Sequence, residues 1–172
     1  MTSKTLFNQE LLAPVNIGLM ADLMLEKGYF LATAESCTGG LIAAACTDLA
    51  GSSAWFERGF VTYSNAAKTD MLGVDAALIA QHGAVSEPVA RAMAFGAIRH
   101  SAAQVSVAVT GVAGPTGGSV DKPVGTVWFA WSVGGSLKSE KLCFGGDRTS
   151  IRQATLNYAI SKLLILLSQH SL

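Results

Sequence analysis

Apolar residues recur at four-residue spacing at Val15, Leu19 and Leu23, which predicts a first helix with Pro14 near its start and Gly28 at its C-cap. Tyr29 to Ala34 then reads as a short buried strand. Small apolar residues fill Leu41 to Ala50, a helix entered through the turn Glu35-Ser36-Cys37-Thr38-Gly39-Gly40. The run Arg58 to Ser64 predicts a second strand. Two short helices follow at Asn65 to Leu72 and Asp75 to His82, each opened by Asn or Asp and closed by Gly73 or Gly83. Ser86 is placed to cap a helix from Glu87 to about Ser101, with Pro88 in its first turn, where a missing N–H costs nothing.

Val105, Val107 and Val109 fall on one side of a strand from Gln104 to Thr110, which ends in the glycine-rich loop Gly111 to Gly118. Val124 to Val133 and Leu137 to Phe144 flank Gly134-Gly135 as a hairpin. Asp147 to Ser150 supply capping residues for a last helix, Ile151 to Ser168, in which Leu156, Ile160, Leu163, Leu164 and Leu167 keep helical register. This order predicts an α/β fold, a three-layer α/β/α sandwich with a mixed β-sheet. No repeat or linker divides the sequence, so residues 1–172 are expected to form a single domain.

Composition narrows the function. Lys plus Arg and Asp plus Glu both count 12, so the net charge is zero and no electrostatic footprint for nucleic acid exists. Half the residues are hydrophobic and 14% are charged, which excludes disorder. The mean hydropathy of +0.39 raises the question of a membrane. The longest strongly apolar stretch, Leu163 to Leu167, is far shorter than the ~20 residues of a spanning helix, and no apolar segment with basic flanks opens the sequence. Cys37, Cys46 and Cys143 are an odd number with no C-x-x-C pair, which gives neither a disulfide framework nor a zinc site; a reducing cytoplasm is the expected location. His82, His100 and His170 are scattered, and no metal site is expected.

Two segments carry candidate chemistry. At the first, the N–H groups of Thr38, Gly39 and Gly40 lie near a helix N-terminus, where unpaired donors and the dipole favour an oxyanion or phosphate. Ser36 could be a nucleophile there, although the spacing is not G-x-S-x-G and Ser at a helix start is usually a cap. Cys37 competes with it, and Glu35 reads equally as a general base or as a partner of the dipole. With no His-Asp pair in evidence, the base for a serine would be a lysine of depressed pKa, lowered by burial or by a neighbouring cation. Lys68 is the best candidate, since a strand end and a first helical turn could bring Tyr63 and Lys68 to one cleft.

The second segment is the loop after Thr110, whose glycines let backbone approach a ligand closely. It matches neither the P-loop nor the dinucleotide fingerprint, which argues against an ATPase and an NAD oxidoreductase. Arg148 and Arg152 lie four residues apart, able to take a phosphate or to pair with Asp147.

Six ordered segments together resemble the C-terminal domain of the competence- and damage-inducible CinA family. They are TAESCTGG (Thr33 to Gly40), GSSAWFERGFVTYSNAAK (Gly51 to Lys68), HGAVSEP (His82 to Pro88), TGVAGPTGG (Thr110 to Gly118), KPVGTVWFA (Lys122 to Ala130) and GDRTSIR (Gly146 to Arg152). The resemblance implies hydrolysis of the carboxamide of nicotinamide mononucleotide (NMN) to nicotinic acid mononucleotide and ammonia, without a cofactor. It implies Ser36 as nucleophile, Lys68 as base with Tyr63 assisting, and the Thr38 and Gly39 amides as oxyanion site. Gly40, Thr110, Gly111, Gly114, Gly117 and Arg152 are the further candidates for the substrate, the loop and Arg152 for its 5′-phosphate. The larger N-terminal domain of many CinA proteins has no counterpart here, so its activities are not expected. A homo-oligomer, a dimer in the simplest case, is the expected assembly. The competing reading is a silent nucleotide-binding or scaffold module in which Ser36 only caps a helix; a DNA-associated competence factor is disfavoured by the zero net charge.

Overall fold

The computed structural model describes residues 15–170. Helix α1 (Ile17–Lys27) leads into β1 (Leu31–Glu35), α2 (Leu41–Thr47), a single 3-10 turn (Ser52–Ala54) and β2 (Phe56–Val61). Three helices follow, α3 (Asn65–Leu72), α4 (Ala76–His82) and α5 (Glu87–Arg99), then β3 (Val105–Gly111), β4 (Thr126–Val133), β5 (Ser136–Cys143) and α6 (Arg148–Gln169). The strands form one sheet in the order β2-β1-β3-β4-β5. β1 is parallel to both β2 and β3, while β4 and β5 turn back as an antiparallel hairpin on the edge of β3. The sheet is therefore mixed and carries helices on both faces, the three-layer arrangement that the element order predicts.

Alternation along the strands divides the core in two. Leu31, Val105, Val107, Val109, Val127, Phe129 and Trp131 face α1, α2 and α6, where α6 contributes Ile151, Ile160, Leu163 and Leu167. The opposite face is built of small side chains, Ala32, Ala34, Ala108 and Ala130, and packs against Val89, Ala90, Met93 and Ala94 of α5 with Leu72 of α3. Small residues let this second layer approach closely. A Cβ on Gly96 of α5 would stand 2.2 Å from the Leu72 carbonyl oxygen, so α3 and α5 touch through a glycine. Gly96→Ala is expected to lower stability by about 1–3 kcal/mol, because backbone must shift to relieve the clash. Urea unfolding reads this as a lower midpoint with an unchanged slope.

Several boundaries differ from the sequence expectations for local reasons. The inward residues of α1 are Met20, Ala21 and Met24, whereas Leu19, expected on the core stripe, is 47% exposed. Its N-terminus is capped by Asn16, whose side chain accepts from the Leu19 amide; Pro14 lies outside the described residues. The cap of α3 is Ser64 rather than Asn65, and its hydroxyl accepts from the Ala67 amide at 3.0 Å. Ser86 occupies the N-cap of α5, yet its hydroxyl donates to the Gly83 carbonyl instead of accepting from the helix. β2 ends at Val61, so Thr62, Tyr63 and Ser64, expected in the strand, form the connection into α3.

Candidate active site

The carboxyl ends of β1, β2 and β3 lie together because these strands are parallel. β1 continues through α2 to β2 on one side of the sheet, and β3 continues to β4 on the other. Where the succession reverses, between β1 and β3, an α/β sheet opens a crevice. A cleft of about 200 Å³ lies at this end, lined by Ser36 and Cys37 after β1, Tyr63, Asn65 and Lys68 after β2, and Thr110, Gly111 and Ala113 after β3. Ala84 and Val85, before α5, and Arg148, opening α6, complete its wall.

Ser36 extends the face of β1 that carries Ala32 and Ala34, and its amide donates to the Val109 carbonyl of β3 at 3.1 Å. On that side stands Lys68, in the first turn of α3 and only 1% exposed. Its Nζ lies 3.1 Å from Ser36 Oγ and donates to the carbonyls of Thr62 at 2.8 Å and Tyr63 at 3.5 Å. Burial strips water from the ammonium and holds its pKa below the ordinary lysine value. Desolvation is the cause; no neighbouring cation assists it among the described residues. A buried amine that loses its proton easily, in hydrogen-bond reach of a serine hydroxyl, is an arrangement able to generate an alkoxide.

Cys37 points the other way, into the large core, and burial pushes its thiol up to about 12. The thiol is neutral, although the residue also borders the cleft. Glu35 is fully buried, and its carboxylate accepts the Thr38 hydroxyl at 2.6 Å and the amides of Gly40, Ile42 and Ala43 at 3.0, 3.1 and 2.8 Å. The negative charge expected at this helix N-terminus is thus supplied by the chain itself. That decides one open alternative and corrects one expectation. Glu35 is a helix cap rather than a base at the cleft, and the Gly40 amide is unavailable to an oxyanion. Gly39 is engaged too, its amide donating to the Ser36 carbonyl at 3.1 Å. Among the described residues, the Thr38 amide has no hydrogen-bond partner, and the Cys37 amide meets only its own thiol. Gly39 and Gly40 serve the turn through their φ of +61° and +99°, left-handed values that favour glycine.

Arg152 is likewise taken. Its Nε donates to the Cys37 carbonyl at 3.2 Å and its Nη2 to the Thr38 carbonyl at 2.7 Å, so it grips the turn from behind and does not line the cleft. The cleft cation is Arg148, which donates to the Gly114 carbonyl at 2.8 Å and to the Tyr63 hydroxyl at 3.2 Å. Neither arginine pairs with Asp147, whose carboxylate instead caps α6 through the Ser150 amide and hydroxyl. Tyr63 is 63% exposed, and its phenol meets Arg148 rather than Ser36. Thr110 lines the cleft while donating its hydroxyl to the Ala84 carbonyl at 2.9 Å. Gly111 forms wall, Gly114 enters only through Arg148, and Gly117 is not part of the lining. Asn65, Ala84 and Val85 are lining residues that sequence reasoning did not single out, whereas Ala113 lies within the loop it did. Asn65 reads from sequence as a helix opener and Ala84-Val85 as an apolar pair, and neither carries a chemical signal.

Residues 17–167 match the model of the CinA C-terminal domain. The chain is 54% identical over 138 residues to the nicotinamide-nucleotide amidohydrolase PncC of Escherichia coli K12, covering 80% of this chain and 84% of that one. It is 58% identical over 132 residues to the protein of the same name from Pseudomonas putida, covering 77% and 82%. The crystal structure of the competence damage-inducible protein A from Klebsiella pneumoniae superposes with a TM-score of 0.87 at 38% identity, over 90% of this chain and 96% of that one. A mixed sheet with the same architecture and a sequence match spanning nearly all described residues show that the chain belongs to the CinA C-terminal domain family.

Proposed function

We propose that this chain hydrolyses the carboxamide of NMN, giving nicotinic acid mononucleotide and ammonia. The observation that carries the reading is the 3.1 Å contact between Ser36 Oγ and buried Lys68 Nζ in the cleft. It occurs in a chain 54–58% identical to proteins named nicotinamide-nucleotide amidohydrolase, over 77–80% of its length.

A neutral lysine amine has two N–H groups and one lone pair. The Thr62 and Tyr63 carbonyls can only accept, so they take the two N–H groups and leave the lone pair for the Ser36 hydroxyl. In this reading Ser36 Oγ attacks the carboxamide carbon as its proton passes to Lys68, and negative charge develops on the carbonyl oxygen. The Cys37 and Thr38 amides are the donors assigned to that oxyanion. Lys68 returns the proton to the departing nitrogen, ammonia leaves, and an ester to Ser36 remains. Water then attacks the ester, gives its proton to Lys68 and restores Ser36 with release of the carboxylate. Arg148 is the cation assigned to the 5′-phosphate, a role for which the Gly111 to Gly118 loop supplies wall and the Gly114 carbonyl as an anchor for the guanidinium.

Ammonia release measured with NMN, nicotinamide, its riboside and NAD tests the proposal. Turnover of NMN is expected; binding without turnover would overturn it in favour of a silent binding module. No step asks for a metal, and among the described residues no three His, Cys, Asp or Glu side chains gather to hold one. Exhaustive chelation is therefore expected to leave the rate unchanged, and loss restored by one divalent ion would refute this. No described helix is long and apolar enough to cross a membrane. Cytoplasmic action, supported by three unpaired cysteines, and assembly as a homodimer belong to the same proposal; light scattering reads the second.

A further inference from the structure

We infer that Arg152 is a positioning residue whose guanidinium aims the Cys37 and Thr38 amides at the reacting carbonyl oxygen, an inference that rests on Ser36 acting as nucleophile. In a planar trans peptide the C=O and the following N–H point in opposite directions. Holding a carbonyl therefore fixes where the next amide points. Arg152 Nε holds the Cys37 carbonyl, which directs the Thr38 N–H away from the guanidinium. Its Nη2 holds the Thr38 carbonyl, which directs the Gly39 N–H towards the Ser36 carbonyl, where it donates at 3.1 Å. That contact in turn holds the Ser36 carbonyl and sends the Cys37 N–H outwards. One side chain thus sets three successive peptide planes, two directly and one through Gly39.

The grip has a counterpart. From the α2 side, the Glu35 carboxylate takes the Gly40, Ile42 and Ala43 amides and the Thr38 hydroxyl. A cation on the carbonyls and an anion on the amides together engage the turn and, among the described residues, leave the Thr38 N–H without a partner and the Cys37 N–H with only its own thiol. Arg152 is the more informative partner, because Arg152 is the only donor to the Cys37 carbonyl among the described residues, whereas the Thr38 carbonyl also receives the Leu41 amide at 3.3 Å. A guanidinium suits two adjacent carbonyls, since its donors form a rigid fork; a lysine ammonium is a point charge that can follow one carbonyl and release the other. Helical geometry supplies the placement. Arg148 and Arg152 lie one turn apart on α6, so the same helix presents one guanidinium to the cleft and the other to the back of the nucleophile turn.

The test compares Arg152→Lys, Arg152→Met and Arg152→Ala with the parent, first by circular dichroism and then by two reactions. The first is NMN turnover. The second is labelling of Ser36 by a fluorophosphonate, in which the Ser36 O–P bond forms, the P–F bond breaks and fluoride leaves; this reads the oxyanion donors whatever the natural substrate. Loss of aligned donors is expected to lower kcat by about 10²-fold, with KM nearly unchanged, and to slow labelling in the same proportion. Free guanidinium ion at millimolar concentration is expected to restore part of both rates in Arg152→Ala. Should the Met and Ala variants fail to fold, Arg152→Lys, which keeps the charge and most of the volume, decides alone. Full kcat and full labelling in a folded variant would overturn the inference. So would a raised KM with kcat kept, which would assign Arg152 to the substrate's phosphate. If the parent fails to release ammonia from NMN, the proposed substrate falls, and the labelling rates still decide the role of Arg152.

Discussion

Ser36→Ala is expected to abolish NMN turnover, a loss on the order of 10⁶-fold as for other serine nucleophiles acting in concert with a base, while Cys37→Ala keeps most of the activity. The two residues are neighbours in sequence and opposites in environment. Strand alternation carried one residue past β1 puts Ser36 on the side of Lys68 and Cys37 on the side of the large apolar core. Burial pushes the Cys37 thiol up to about 12, with the nearby Glu35 carboxylate acting in the same direction. Near neutral pH such a thiol stays protonated, and the thiolate is the nucleophilic form. Steady-state rates of both variants, with mass spectrometry locating a fluorophosphonate adduct, read the outcome. An active Ser36→Ala protein labelled on Cys37 would reverse the assignment.

The helix-strand order, the hairpin at Gly134-Gly135 and the inward valines of β3 are legible in the sequence because each rests on a local period. The site is legible only in part. Ser36 is visible as a serine at a strand-to-helix turn, and Lys68 is singled out by the want of a His-Asp pair and by the family resemblance; its burial is not legible, since lysines are mostly solvated and nothing local marks this one as 1% exposed. Its burial comes from parallel pairing of β1 and β2, which brings Thr62 and Tyr63 beside Ser36 across 26 or more residues of chain. Glu35 shows the same limit from the other side. A carboxylate at a helix start suits a base and a cap equally; the odd register that it shares with Leu31 turns it towards α2 and settles the choice. For Arg148 and Arg152, helical spacing correctly predicts a shared face. What divides their roles is the height of α6 against the nucleophile turn, which depends on packing of Ile151, Ile160, Leu163 and Leu167 and has no signature at the arginines themselves.

The spatial arrangement also changes what the α2 N-terminus offers. A strand leading through Ser, Thr and Gly into a helix reads as an anion site, and in isolation it would be one. Here Glu35 fills it from within the chain, with three amides and a hydroxyl on one carboxylate. Anion binding at the turn is thereby confined to the two amides before the helix, and the substrate's phosphate must find its partner elsewhere, at Arg148 in the proposed reading. The cost of burying Glu35 is offset by charge-assisted hydrogen bonds and the helix dipole, so the same carboxylate that blocks a phosphate stabilises the turn bearing Ser36.

Lys68→Met and Lys68→Arg are expected to lose about 10²–10⁴-fold or more in kcat, the scale on which a general base acts. Met nearly matches the lysine stem and removes the nitrogen. Arg keeps a charge but does not deprotonate, so it separates a proton acceptor from a fixed cation. Because Lys68 is buried, Arg also tests the fit, and Met is the variant expected to fold without strain. The pH dependence gives an independent reading. Burial lowers the folded pKa of Lys68, and the active form is the neutral amine, so kcat/KM of the parent should rise as pH increases through that lowered value and level off below the ordinary lysine range. The stability linkage has the same sign. Between the folded and the ordinary pKa the unfolded chain holds the extra proton, so stability increases with pH across that window in the parent, and this contribution disappears in Lys68→Met. Addition of a small primary amine to Lys68→Ala, whose shorter side chain leaves room beside Ser36, should recover part of the rate with an apparent pKa that follows the amine added. Substantial activity in Lys68→Arg, or rescue that ignores the pKa of the amine, would make Lys68 a positive charge for the oxyanion. The proton of Ser36 would then have to pass to a water in the cleft.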